Sequence, residues 1–164
     1  MAHNITAIII VDAFDPEVAR NLDLVPVPLS PPLTLFHIDD YYTAYWQAVR
    51  GCIGHLDVPS DFPSVFPREE IVAQLVAELT ALKSARFALI QTEYFGGAGE
   101  QWACVFTGDQ RDSRDGATIN DALRMLGVVG QRSLDEFDFV GLGAHRSPPE
   151  YLERYVDLCD ELGV

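Results

Sequence analysis

Two runs rich in aromatic and β-branched residues, Phe87-Ala-Leu-Ile-Gln-Thr-Glu-Tyr-Phe95 and Glu100-Gln-Trp-Ala-Cys-Val-Phe-Thr107, flank the short segment Gly96-Gly-Ala-Gly99. Apolar runs joined this way read as a β-hairpin, and the hairpin constrains everything else the chain can form. With Gly96–Gly99 as a four-residue loop, Phe95 faces Glu100. Pairing then runs through Tyr94–Gln101, Glu93–Trp102, Thr92–Ala103, Gln91–Cys104, Ile90–Val105 and Leu89–Phe106. Side chains alternate between faces, so Phe87, Leu89, Gln91, Glu93 and Phe95 lie beside Trp102, Cys104 and Phe106. Ala88, Ile90, Thr92 and Tyr94 lie on the other face, beside Gln101, Ala103 and Val105. The aromatic face is the expected core face, yet it also carries Gln91 and Glu93. A carboxylate buried there without a partner costs several kcal/mol, so Glu93 needs a partner or a cavity, unless a one-residue slip turns it to solvent.

A chain of 164 residues that is 48% hydrophobic can bury one sizeable core and is too short for two ordinary ones. A single α+β domain over residues 1–164 is expected. Eleven Lys and Arg stand against 25 Asp and Glu, a formal net charge of −14. That charge disfavours nucleic acid and anionic membrane as partners and suits a basic protein, although acidity is also a plain solubility device. The apolar run Ile5–Val11 is too short to span a bilayer and Met1-Ala-His-Asn4 has no basic start, so a cytoplasmic protein, monomer or homodimer, is expected. Cys52, Cys104 and Cys159 are odd in number, far apart and without a Cys-x-x-Cys pair, as expected of reduced thiols without structural zinc.

Along the chain, Asn4–Val11 reads as a buried strand, and Asp15 with Pro16 opens a short helix that ends near Leu22. Prolines 26, 28, 31 and 32 restrict the next segment to a loop or edge. Leu33–Ile38 resumes as a strand, and Asp39 or Asp40 caps a helix over Tyr41–Arg50, with Gly51 as its stop. Residues 51–67 form an irregular loop. Pro67 begins the clearest helix, with Ile71, Val72, Leu75, Val76, Leu79 and Leu82 along one side. Residues 108–116 form a polar loop. Capping boxes at Thr118, Ser133 and Ser147 open three further helices, the last running through Leu162. Strands separated by helices, with a central hairpin at 87–107, indicate a mixed or antiparallel sheet with helices mainly on one face.

Several constellations carry potential chemistry. Gly96–Gly99 lacks the Lys and Ser/Thr of a phosphate-binding loop and joins strand to strand, which makes a hairpin turn the better reading. His37, Asp39, Asp40 and His55 are of metal-ligand type, but helix capping accounts for the aspartates, and no metal or cofactor is expected. Cys104 with His37 or His145 and an acid such as Glu93 has the parts of a thiol-nucleophile site, without any surrounding signature, and a buried inert thiol is the simpler account. His145 and Arg146 precede a helix start where an anion could be held. In a chain this acidic, pairing of Arg146 with Asp135, Glu136 or Asp138 is the plainer expectation. Tyr41, Tyr42, Tyr45 and Trp46 cover more than one face of their helix, so some of these rings must line a groove or reach another element.

The hairpin text Glu93–Phe106, with Tyr94-Phe-Gly-Gly-Ala-Gly-Glu-Gln101 at its centre, together with Leu126-Gly-Val and Asp135-Glu-Phe-Asp-Phe-Val-Gly-Leu-Gly143, resembles small bacterial proteins described only as uncharacterised. That resemblance implies no activity and no catalytic residues. In general type, small acidic α+β proteins are also similar to immunity proteins that neutralise bacterial toxins.

Two functional expectations follow. The first is a non-catalytic, immunity-like or accessory protein that presents an acidic and aromatic surface, with Tyr41, Tyr42, Tyr45 and Trp46, to a protein partner. The second is a small enzyme or ligand-binding domain with a pocket at the mouth of the hairpin. It would use Glu93 as base or anchor, with Gln91, Tyr94, Gln101, His37 or His145 nearby, and Trp102 and Arg146 are further binding candidates. The second requires Glu93 to stand in a cleft, within hydrogen-bond reach of one of those groups.

Overall fold

The computed structural model describes residues 2–131 and 133–164. Its frame is one antiparallel sheet of six strands in the order β2-β3-β1-β4-β5-β6. Ile8, Ile9 and Ile10 of β1 (Thr6–Ile10) are all fully buried. Successive side chains of a strand point to opposite faces, so this run can disappear from water only if both faces are covered. They are. Ile8 and Ile10, with Phe36, Phe87, Leu89, Cys104 and Phe106, build one core against four helices. These are α1 (Pro16–Asn21), α2 (Asp40–Val49), α3 (Ile71–Thr80) and α6 (Arg154–Leu162). Ala7 and Ile9, with Leu35, Ala88, Ile90, Ala103 and Val105, build the second core. Its cover is two shorter helices, α4 (Ile119–Met125) and α5 (Glu136–Phe139), and a 3₁₀ turn at Leu142–Ala144. Both faces of the sheet of this α+β domain are thus covered, four α-helices on one and two on the other, and each fully buried Ile or Phe contributes about 1.5–3 kcal/mol of apolar transfer.

β1 lies centrally, between β3 (Thr34–His37) and β4 (Arg86–Phe95), with Ala7 opposite both His37 and Ile90. The sheet's edges are short. β2 is only Val27–Pro28, and β6, Gln110–Arg111, pairs with Phe106 and Thr107 of β5 (Ala98–Thr107) inside the segment expected to be a loop.

The hairpin forms, but with a tighter turn than the sequence suggests. Gly96 and Gly97 take φ of +62° and +81° and make the whole turn, as in the two-residue connections whose twist matches that of the strands. Ala98 and Gly99 therefore belong to β5. Pairing is offset by two residues from the expected register: Glu93 faces Glu100, Gln91 faces Trp102, Leu89 faces Cys104 and Phe87 faces Phe106. An even offset keeps every side chain on its expected face.

Helix boundaries also move. α3 begins at Ile71, four residues after Pro67, because residues 68–69 are held in extended pairing with the preceding loop: the Leu56 N–H donates to the Arg68 carbonyl at 2.7 Å, and His55 bridges Glu69. It ends at Thr80, which leaves Leu82 outside the apolar stripe and exposed. Thr118 forms its capping box with Asp121. Ser133 does not cap, since Asp135 accepts from the Asp138 N–H and starts α5 instead, and the last helical segment begins as a 3₁₀ turn at Glu150 behind Pro149 rather than at Ser147.

The aromatic residues of α2 mostly serve packing. Tyr42 is fully buried, its hydroxyl donating to the Leu22 carbonyl at 2.6 Å. Its ring meets Tyr155 of α6 edge-on at 5.0 Å, and Tyr45 meets the same ring at 5.3 Å. Trp46 is half-buried beneath the Arg50 guanidinium. Of the four rings expected at a surface, Tyr41 is the one that is exposed, because α6 packs across the others.

Candidate functional site

β4 and β5 are ten residues each, longer than the five-residue β1 that supports them. Regular pairing of β4 with β1 ends at Thr6–Gln91, and a further bridge joins His3 to Tyr94 through two hydrogen bonds of 2.9 Å. Beyond this the hairpin end projects. Glu93 and Glu100, directly opposite one another, are both exposed, and Phe95 beside them is 82% exposed. Glu93 does not stand in a closed cleft, and among the described residues no hydrogen bond reaches its carboxylate. Glu93 lines an open depression of about 470 Å³ with Asn4, Tyr94, Phe95 and Glu100, and of the groups expected beside it Tyr94 alone is there. Its face is the core face, as its parity requires, but the strand has run past the helices that cover that core.

β5 leaves a second opening. It pairs with β6 only at Phe106 and Thr107, so its outer edge from Ala98 to Ala103 has no strand partner among the described residues.

On the opposite face of the same hairpin end, a cleft of about 340 Å³ lies between the hairpin, α4, α5 and the Gly143–Arg146 segment. Its frame is hydrogen-bonded from within. The His3 Nδ1 contacts the Thr92 hydroxyl at 2.8 Å and its Nε2 the Leu142 carbonyl at 3.2 Å, while its ring packs on Phe137 at 5.3 Å. Gln101 donates to the Tyr94 hydroxyl at 3.0 Å and accepts the first free N–H of α4, from Ile119, at 2.8 Å. Asn120 accepts the Phe137 N–H and donates to Asp135. Tyr94 and Gln101, expected near Glu93 at the hairpin mouth, meet here with Arg146, expected instead before a helix start, while Glu93 itself does not line this cleft. His3, Asn120, Asp135, Phe137, Asp138 and Gly143 complete the wall, and their roles arise only when residues distant along the chain converge.

Arg146 is exposed, and among the described residues it forms no ion pair. Of its three expected carboxylates, Glu136 pairs with Arg124 at 3.0 Å, Asp135 holds Asn120 and the Asp138 N–H, and Asp138 lies beyond ion-pair distance of it.

The remaining candidates are dispersed. Cys104 is fully buried, and burial pushes its thiol up to about 12, against smaller opposing effects of Arg111 and Ser113. No thiolate nucleophile is available at neutral pH. Gln91 and Trp102 face one another within the sheet, Gln91 buried and Trp102 half-buried against the first core. His37 is buried with its Nδ1 unpartnered, and burial, reinforced by the neighbouring His145 and His3, lowers it to about 4. His145 lies at the end of the 3₁₀ turn and is half-buried. Asp39 caps α2 by accepting the Tyr42 N–H at 2.7 Å. His55 is exposed and bridges Glu69. Among the described residues no three His, Cys, Asp or Glu side chains are grouped to hold a metal, and no helix is long and apolar enough to cross a membrane.

No protein-family model matches the chain, and no curated protein or solved structure matches it.

Proposed function

We propose that this chain is a non-catalytic protein-binding domain, immunity-like in kind, which receives a basic partner segment on the projecting end of the hairpin. The observation that carries the reading is the Glu93–Glu100 pair, set beside the exposed ring of Phe95 at an unpartnered strand edge. Like charges directly opposite in a sheet are destabilising. A Lys or Arg placed between them by a partner would relieve that repulsion and convert it into attraction. The open edge of β5 offers main-chain groups to an added strand, which supplies affinity while flanking side chains supply choice of partner. A net charge of −14 steers a basic protein toward the same surface. Against catalysis stand the solvent-facing Glu93 and the buried Cys104.

The test compares three baits in lysate of the native host: the wild-type chain, E93K/E100K, and D157K/E161K. The last carries the same change of net charge on exposed positions of α6. A basic protein retained by the wild type and by D157K/E161K, and weakened about tenfold or more by E93K/E100K, is the expected result. Equal loss with both variants would reduce the effect to net charge, and retention of no basic protein would remove the proposal.

A further inference from the structure

We infer that the cleft on the other face of the hairpin is a binding site for a free amino acid with an aromatic or large apolar side chain. This goes beyond partner binding and does not depend on it, because Glu93, Phe95 and Glu100 lie outside the wall formed by His3, Tyr94, Phe137 and Arg146.

The inference rests on which hydrogen-bonding groups the cleft has already used. His3, Gln101 and Asn120 each have both polar ends engaged by neighbours, so they shape the site and have little left to offer a ligand. Three groups retain free capacity. The Tyr94 hydroxyl accepts from Gln101, which leaves its own proton to donate. The Arg146 guanidinium has no carboxylate within ion-pair distance among the described residues. The Asp138 carboxylate lines the cleft without an ion-pair partner among the described residues, while its backbone N–H is taken by Asp135. One cation and two carboxylates thus line one small space: Asp135 is already engaged by Asn120 and the Asp138 N–H, and neither it nor Asp138 lies within ion-pair distance of Arg146 among the described residues.

A ligand with one charge would satisfy one of these groups and leave the other facing its own sign or nothing. A zwitterion satisfies both, the carboxylate on Arg146 and the Tyr94 hydroxyl, the ammonium on Asp138. The Phe137 ring, backed by the His3 imidazole, supplies a flat apolar surface for the side chain. Gly143 borders that floor: a Cβ there would stand at ordinary contact distance, 3.9 Å from Phe137 Cε1 and 4.0 Å from Asp138 Oδ1, so only a larger side chain would fill the cleft. About 340 Å³ is at the small end of ligand sites, roughly 300–1,000 Å³, and suits one amino acid.

The experiment is a titration of the isotope-labelled full chain, followed by amide chemical shifts, with three probes at millimolar concentration: L-phenylalanine, N-acetyl-L-phenylalanine and L-phenylalanine amide. Saturable shifts at Tyr94, Gln101, Asp138 and Gly143 are expected with L-phenylalanine, and at least tenfold weaker binding with each probe that lacks one charge. R146A should weaken L-phenylalanine by a similar factor, and G143L should block the cleft sterically. D157K/E161K, on exposed positions of α6 away from the cleft, should leave the titration unchanged. No cleft shift with L-phenylalanine, equal affinity for all three probes, or an R146A variant that binds as the wild type does would each overturn the proposal.

Discussion

His37 offers a direct measure of how dry the second core is. It sits opposite Ala7 in the ladder, buried, with an unpartnered Nδ1 and two other histidines nearby. A charge there would be desolvated without compensation, so the folded imidazole holds its proton only below about 4, against 6.5 for the ordinary side chain. Between those values the unfolded chain binds more protons than the folded one. Stability is therefore full above the unfolded value and falls as pH falls toward the folded one. Integrating this difference from about pH 7 to about pH 5 gives a loss of about 2 kcal/mol from this one residue. Asp39 and Asp40, raised by burial, act in the opposite sense on acidification, so the measurement must be differential. Urea unfolding of the wild type and of H37Q at the two pH values should show that the variant loses about 2 kcal/mol less. In parallel, the His37 ring resonance should remain that of a neutral imidazole at the lower pH. A ring that titrates at its ordinary value, or equal losses in both proteins, would refute the argument that this end of the sheet is closed to water.

Two further outcomes test the hairpin and the first core. Gly99→Ala places a methyl group against the Glu93 carbonyl oxygen and 2.6 Å from the Tyr94 Cα. These are backbone atoms that no rotamer change can move, so the variant should lose about 1–3 kcal/mol in urea unfolding and exchange its Tyr94 and Gln101 amides faster; unchanged exchange would contradict the register. Cys104, with its thiol pushed up to about 12, should resist a thiol reagent in the native protein and react only on unfolding, whereas the half-buried Cys52 reacts first. Mass mapping of the labelled peptides decides this, and early modification of Cys104 would show the core to be open.

What was legible in the sequence follows from range. Short-range signals hold: Asp15 and Asp39 cap their helices, Thr118 forms its capping box, and alternation in β4 and β5 assigns every side chain to its face. Signals that compete with distant contacts fail. Pro67 is a good first residue for a helix, but the pairing of Leu56 with Arg68 keeps the next turn extended. Ser133 has the spacing of a capping box, yet Asp135 takes the role, while Glu136 is drawn to Arg124. The rings of α2 read as surface because the sequence of one helix does not state that a second, α6, lies across it. The cleft is the extreme case: His3 lies 89 residues from Thr92 and 139 from Leu142, its two partners.

The register of the hairpin shows how a small structural difference redirects a functional argument. With a four-residue loop, Glu93 faces Trp102 and is a carboxylate among aromatics, for which a catalytic or anchoring role is the natural account. With the two-glycine turn, the same residue on the same face stands opposite Glu100, two residues nearer the tip. Parity is unchanged, so the core is unaffected: Phe87, Leu89, Cys104 and Phe106 are buried in either arrangement. What changes is the residue β5 sets across from Glu93, a second carboxylate in place of Trp102, while its exposure follows from β4 running beyond the end of β1. Among the described residues no ion pair reaches either Glu93 or Glu100, which is why the proposed partner is one that brings a cation to this pair.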